Sequence, residues 1–159
     1  MNTNILVVYF TWSNTSKKIA KKIQTLLQAD IFQIQTEKTY PDTYLACVVD
    51  AGKEKMKKER PVLRDYLQNI ERYEKIVLVF PNWWGSLPMP VFTFLEHLDF
   101  SGKTILPVCM NGGSGFSKTM KQIQETCPTA KVLEGIEIKK KAVDSEKTQK
   151  RLEKWLGIE

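Results

Sequence analysis

The sequence predicts an α/β protein built on a parallel sheet, and three observations carry that expectation. Apolar runs alternate five times with helical segments along the 159 residues, the order of strands joined by crossover helices. The runs at 5–10 (Ile5, Leu6, Val7, Val8, Tyr9, Phe10) and 76–80 (Ile76, Val77, Leu78, Val79, Phe80) are solidly apolar. Strands covered on both faces read that way, whereas half-exposed strands alternate. Finally, the three most unusual loops each follow a strand. In a parallel sheet that places them on one edge, where such folds bind their ligands.

The elements follow in order. The first strand, 5–10, leads through a polar turn at 11–16 into a helix. There Ile19, Ala20, Ile23, Leu26 and Leu27 fall at helical spacing, with Lys17, Lys18, Lys21 and Lys22 on the remaining face. Residues 30–35 are the second strand, followed by a polar stretch at 36–44. Residues 43–59 read as a helix interrupted near Gly52 and ended before Pro61, and 63–70 as a short helical piece. The third strand, 75–80, stops at Pro81, and a helix covers 90–98. The turn 99–103 leads to the fourth strand, 104–110, and to a helix over 116–126. The fifth strand is 131–136, the basic stretch 139–141 a loop, and the last helix, 145–156, buries Leu152, Trp155 and Leu156. No linker, repeat or low-complexity tract intervenes, so residues 1–159 are expected to form a single domain.

Composition removes several classes. At 42% hydrophobic and 26% charged residues, the balance is that of a globular protein able to bury its own core. No apolar run approaches the roughly 20 residues of a membrane span, and no basic leader precedes the first apolar run. Cys47, Cys109 and Cys127 are odd in number and far apart, and His97 is the single histidine. A thiolate or imidazole metal site needs more ligands than these, and no G-x-S-x-G elbow appears. The expectation is a cytoplasmic, reduced, metal-free monomer. Cys109 reads as inert core, His97 as a helix-end residue, and Cys47 as partly exposed. Lys and Arg total 24 against 18 Asp and Glu, a formal charge of +6. That excess raises a reading as a basic anion- or nucleic-acid-binding module. Against it, Lys17, Lys18, Lys21 and Lys22 form the solvent stripe of a helix, Lys53, Lys55, Lys57 and Lys58 alternate with Glu54 and Glu59, and no aromatics interleave them for base stacking.

The first loop, Thr11, Trp12, Ser13, Asn14, Thr15 and Ser16, offers four hydroxyls and the free N–H groups of a helix start. Together these bind a phosphate without a cation. The same residues serve equally well as a helix cap, and the loop alone leaves both uses open. In the second loop, Pro81, Asn82, Trp83, Trp84, Gly85, Ser86, Leu87 and Pro88, two adjacent tryptophans cannot both enter one core. One anchors the loop, and the other forms a wall suited to a planar ring. The third loop, Asn111, Gly112, Gly113, Ser114 and Gly115, has three glycines in five residues. Such a loop suits positive φ or close backbone approach. Tyr40 and Tyr44, on the long stretch after the second strand, are further candidates for the site edge.

A phosphate cradle, an aromatic wall and a close-approach loop fit a phosphorylated flat ring compound. On these three segments the sequence resembles the small bacterial flavodoxins, over nearly its whole length. The resemblance implies a three-layer fold with helices on both faces of a five-stranded parallel sheet, strand order 2-1-3-4-5. It also implies one FMN held without a covalent bond. By the same resemblance Thr11 to Ser16 hold the FMN phosphate, and Pro81 to Gly85 and Asn111 to Gly115 flank the ring. Asn14 stands where the family usually has glycine, and asparagine is the side chain that best tolerates left-handed backbone. Asn111 stands where a hydroxyl residue is more usual. The family's electron carriers are acidic, whereas this chain is basic.

The implied function is electron transfer through the flavin between redox partner proteins, here partners with acidic docking surfaces. The alternative within the same chemistry is an NAD(P)H-dependent FMN oxidoreductase of quinone-reductase type, although no separate dinucleotide motif is present. Gly85 is placed to let a peptide beside the ring turn. No Asp or Glu lies in either ring loop, which implies a reduced flavin anion less destabilised than in an acidic carrier.

Overall fold

The computed structural model describes residues 4–158. Its sheet is parallel throughout. It comprises β1 (Ile5–Tyr9), β2 (Asp30–Gln33), β3 (Lys75–Pro81), β4 (Thr104–Asn111), β5 (Lys131–Val132) and β6 (Ile136–Lys139). The order is β2-β1-β3-β4-β5, and β6 also pairs with β4. The helices are α1 (Thr15–Leu27), α2 (Tyr44–Lys57), α3 (Met89–His97), α4 (Thr119–Thr126) and α5 (Glu146–Trp155).

The apolar strands serve two cores because successive side chains point to opposite faces. Leu6, Val8, Phe10, Ile76, Leu78 and Phe80 face α3 and α4 through Val91, Phe94, Leu95 and Ile123. Ile5, Val7, Tyr9, Val77 and Val79 face α1 and α5 through Ile19, Ile23 and Leu152. These are the three layers. The register aligns Tyr9 with Val79 and Val79 with Val108. The carboxyl ends of β1, β3 and β4 therefore finish side by side.

Several expectations are corrected. The fifth strand is two segments, β5 and β6, rather than one run over 131–136. Leu133 N–H still donates to Ile105 C=O at 2.9 Å, so Pro107, two residues on, faces the same edge. Proline has no N–H to give that ladder, and a Cβ on Gly135 would meet the Pro107 carbonyl at 2.8 Å. The pairing resumes at Val108 with Ile136. Residues 139–141 are not a loop: Lys139 ends β6 and a 3-10 turn spans Lys140–Ala142.

The 63–70 segment is not helical. Leu63 bridges antiparallel to Thr36, with Arg64 N–H donating to Gln35 C=O at 2.7 Å and Glu37 N–H to Val62 C=O at 2.9 Å. A long-range strap has taken the backbone groups that a local helix would use, and only Ile70–Arg72 make a 3-10 turn. α2 runs through Gly52 without a break. α4 begins at Thr119 rather than 116, because Ser117 is left-handed at φ 50.

Candidate functional site

The loop after β1 forms a cradle at the start of α1. Asn14 takes left-handed backbone (φ 70) as its cap residue, without a side-chain cap bond, and the first turn carries no acidic residue. The first helical bond runs from Lys18 N–H to Asn14 C=O at 3.0 Å, so the N–H groups of Thr15, Ser16 and Lys17 have no partner within the helix. Ser13 and Thr15 hydroxyls lie 3.3 Å apart. Thr11 Oγ1 and Ser16 Oγ are buried and make no hydrogen bond, although buried hydroxyls are ordinarily satisfied. A cap role would have given these hydroxyls backbone partners. Orphaned donors at a helix start instead match the chemistry of a phosphate.

The loop after β3 folds as a tight turn. Trp83 and Ser86 exchange N–H···O bonds of 3.0 Å each, and Trp84 (φ 57) and Gly85 (φ 72) both take positive φ between them. Glycine accepts that conformation freely, whereas tryptophan does so at a cost. Trp83 is the anchor: its ring meets Phe10 at 5.2 Å and Tyr40 at 5.3 Å, both edge-on. Trp84 is the wall, 54% exposed. Its Nε1–H donates to Val48 C=O of α2 at 2.7 Å, and its ring lies where a Cβ on Gly52 would sit at 3.0 Å. The mid-helix glycine is thus a notch for an indole. Trp84 C=O accepts from Lys55 Nζ, and Gly85 C=O from Lys118 N–H at 3.2 Å. Any turn of the peptides around Gly85 must first release one of these bonds.

Asn82 joins the second and third loops. Its Nδ2 donates to Gly115 C=O and to Ser117 Oγ, each at 2.9 Å. Asn111 is buried; its Nδ2 donates to Glu137 at 2.6 Å and its Oδ1 accepts from Gly113 N–H at 2.8 Å. Asn111 therefore shapes the loop from below and does not line the site. Pro81 likewise closes β3 inside the core. Gly113 and Gly115 take positive φ (134 and 68). Gly112 does not, and a Cβ there would meet nothing within 4 Å. Neither strain nor packing asks for glycine at 112, which leaves room for close approach from outside.

Between these loops and α2 lies a cleft of about 230 Å³. Trp12, Asn82, Trp83 and Trp84 line it, as do Tyr44, Cys47, Val48, Ala51 and Lys140, which the loop motifs did not point to as a set. Tyr44 borders the cleft, whereas Tyr40 packs behind Trp83. Cys47 is buried rather than partly exposed, 3% accessible. Burial, then Asp50 and Glu54, push its thiol up to about 11, so it is inert at neutral pH. Tyr40 O–H donates to Glu54 at 2.7 Å. Burial first, and this bond second, hold its phenol far above the usual range. Glu54, 2% accessible, also pairs with Lys38, which binds Asp50 at 3.0 Å. This network ties α2 to the stretch after β2 and fixes the far wall of the cleft. Lys140 is half-buried and has no carboxylate partner among the described residues. Among those residues no helix is long and apolar enough to cross a membrane.

Comparisons with known proteins agree with this geometry. Residues 4–158 match the family model described as flavodoxin. No curated protein matches the chain. Among solved structures, a Bacteroides uniformis protein described as a flavoprotein is 28% identical, with TM-score 0.83, covering 97% of this chain and 99% of its own. A Lactobacillus acidophilus flavoprotein in complex with FMN is 19% identical, TM-score 0.73, covering 89% and 96%. A Fusobacterium nucleatum flavodoxin bound to FMN is 18% identical, TM-score 0.60, covering 99% and 96%. With its sheet order, its three post-strand loops and a family match over residues 4–158, this chain belongs to the flavodoxin family.

Proposed function

We propose that the chain binds one FMN without a covalent bond and carries electrons between redox partner proteins. The observation that carries this reading is the pair of buried hydroxyls left without partners, Ser16 Oγ in the first turn of α1 and Thr11 Oγ1 in the loop before it, beside a cleft lined by Trp12, Trp83 and Trp84. The residues present fit the group at both ends. The hydroxyls of Ser13, Thr15 and Ser16 and the N–H groups of Thr15, Ser16 and Lys17 would donate to the phosphate oxygens, and the absence of an acidic residue from the first turn leaves the helix end attractive to a dianion. The indoles exclude water from the ring and offer it flat apolar surface. Bound there, FMN supplies one- and two-electron transfer through its ring, while the protein sets the potential. Lys140, unpaired on the cleft wall, favours the anionic reduced form. The FMN-bound Lactobacillus and Fusobacterium relatives support the choice of cofactor.

The test is direct. The apo chain titrated into FMN should quench flavin fluorescence to a one-to-one endpoint, and the holo chain should release FMN on denaturation. Riboflavin should bind far more weakly, because the cradle then has nothing to hold. A chain that leaves FMN fluorescence unchanged is not a flavoprotein. Anaerobic mixing of the holo chain with NAD(P)H alone separates the carrier from the oxidoreductase: the carrier stays oxidised, while rapid bleaching identifies the enzyme.

A further inference from the structure

The third loop is braced by a carboxylate from β6, 26 positions further along the chain. Asn111 closes β4 with its side chain 1% accessible. Its Oδ1 accepts from Gly113 N–H at 2.8 Å, and its Nδ2 donates to Glu137 Oε2 at 2.6 Å. The pairing of β6 makes this contact. Cys109 stands opposite Glu137, and Asn111 opposite Lys139. Residues two apart on a strand share a face, so Glu137, Cys109 and Asn111 lie on one face of the sheet, beneath the loop. Among the described residues Glu137 forms no ion pair, and Asn111 is the side chain that its carboxylate binds.

The two bonds of Asn111 differ in direction. A primary amide has a donor end and an acceptor end, and turning it over exchanges them. Gly113 N–H donates, so it requires the oxygen. An ionised carboxylate only accepts, so it requires the nitrogen. Glu137 thereby dictates which way the Asn111 amide faces. Without the carboxylate the buried NH2 group has no partner, a state that buried polar groups avoid, and the amide is free to leave Gly113 in search of one. The loop depends on that bond. It spans Gly112, where a Cβ would meet nothing within 4 Å, and it ends on Gly113, whose φ of 134 is open chiefly to glycine. The far end of the loop is secured separately. Gly115 C=O accepts from Asn82 Nδ2 at 2.9 Å and from Cys109 Sγ at 3.6 Å.

We infer that Glu137 is the positioning residue of the third loop: through Asn111 it fixes the backbone of Gly112 and Gly113 against which the flavin ring packs. This rests on the proposed reading that the loop flanks the ring. It also gives a reason for Asn111 where the family usually has a hydroxyl residue. A hydroxyl rotates to suit its neighbours, whereas an amide joins a fixed donor site to a fixed acceptor site.

The first measurement needs no flavin. In the apo chain, hydrogen exchange at the Gly113 amide reads the bond directly, with the β3 amides as internal reference. Glu137→Met, which removes the acceptor, should speed Gly113 exchange about tenfold or more and leave the β3 amides as in wild type. Glu137→Gln keeps an acceptor oxygen and should match wild type. Asn111→Asp sets a second carboxylate against Glu137, and like charges there should also release the loop. Combining Asn111→Asp with Glu137→Gln exchanges donor and acceptor, and protection of Gly113 should return. In the second measurement Glu137→Met should weaken FMN and riboflavin in parallel, each by about tenfold, because the loop meets the ring and not the phosphate. Glu137→Gln and the double variant should bind both ligands more tightly than Glu137→Met.

Unchanged Gly113 exchange in Glu137→Met overturns the assignment, as does equal disturbance by Glu137→Gln. A double variant no better protected than Asn111→Asp alone overturns it too. So does a loss of protection that extends equally to the β3 amides, because the effect is then global. Wild-type affinity of Glu137→Met for both ligands removes the role toward the ring. A chain that binds no FMN refutes the cofactor reading and that role with it, while the exchange measurement still decides whether Glu137 holds the loop.

Discussion

Replacing Ser16 by alanine should move stability and cofactor affinity in opposite directions. Ser16 is 1% accessible, and its Oγ has no hydrogen-bond partner. A buried hydroxyl in that state costs about 1–3 kcal/mol of desolvation, and alanine is also the better helix former by a few tenths of a kcal/mol. The apo variant should therefore be more stable than apo wild type by about 1 kcal/mol or more, seen as a higher urea midpoint at unchanged slope. On the proposed reading the same hydroxyl would donate to the phosphate dianion of bound FMN, and hydrogen bonds to charged groups contribute about 1.5–3 kcal/mol. Loss of that bond should weaken FMN binding about 10- to 100-fold, measured by fluorescence titration. Riboflavin, which lacks the phosphate, should bind wild type and variant alike. If Ser16→Ala destabilises the apo chain and leaves the FMN Kd unchanged, the hydroxyl is a structural cap and the cradle reading fails.

Four other outcomes follow from the geometry. Gly52→Leu should shift tryptophan emission and weaken FMN binding despite the better helix propensity, because its side chain meets the Trp84 ring where a Cβ alone already sits at 3.0 Å. Asn14→Gly should preserve FMN binding, whereas Asn14→Val should lose about 1–2 kcal/mol of stability, because φ 70 is closed to a β-branched residue. Lys140→Gln should favour oxidised over reduced flavin; a tenfold change lowers the two-electron midpoint by about 30 mV, read by redox titration. Lys38→Met should destabilise by about 3 kcal/mol in urea unfolding, the low end for a broken buried ion pair, because the buried Glu54 carboxylate then keeps only the Tyr40 O–H as partner. Lys38 is held above the usual lysine range by Glu54 and Asp50 against the opposing effect of burial. Its contribution is therefore complete at neutral pH and is lost only as pH rises through that elevated value.

What could be read from the sequence depended on how local its cause was. β1, β3 and β4 were legible because continuous apolar runs have few other uses, and the three loops were legible because turn chemistry is local. The division of labour between Trp83 and Trp84 was half legible. Adjacency required one anchor and one wall, but only the contacts with Phe10 and Gly52 say which is which. The failures are long-range. Thr36 and Leu63 are 27 positions apart, and nothing near residue 63 shows that an extended partner will take its backbone bonds. Pro107 was visible, yet its effect falls on a different strand, where it splits β5 from β6. From the sequence Gly52 reads as a helix break, because the indole that fills its notch lies 32 residues on. Of the α2 wall only Tyr44 is legible in the sequence; Cys47, Val48, Ala51 and Lys140 are not, for the same reason: only the folded chain brings them to the loops.

The exceptions to local rules are not scattered. Gln28 and Lys58 take left-handed backbone where helices ordinarily end, whereas Asn14, Trp84 and Ser117 take it in the loops without being glycine. Thr11 and Ser16 bury hydroxyls without partners, Gly52 interrupts helix propensity, and Gly112 has no conformational need to be glycine. Apart from the two helix ends, all seven lie at the carboxyl edge of the sheet or on the helix facing it, while the strands and α1 place their apolar residues as binary patterning requires. Strain and unsatisfied groups of this kind cost on the order of 1–3 kcal/mol each. They persist where the surrounding structure enforces them for a use that the unliganded chain does not show. The basic charge obeys a different logic. Some lysines pair with the acids of their own helix, as Lys121 does with Glu125 and Lys150 with Glu146. On α1 no acid stands among Lys17, Lys18, Lys21 and Lys22, and on α2 Asp50 and Glu54 both turn to Lys38. The +6 charge is thus spread over several solvent-facing helix faces, the arrangement of a solvated surface, and the site itself is built from hydroxyls, backbone N–H groups and indoles.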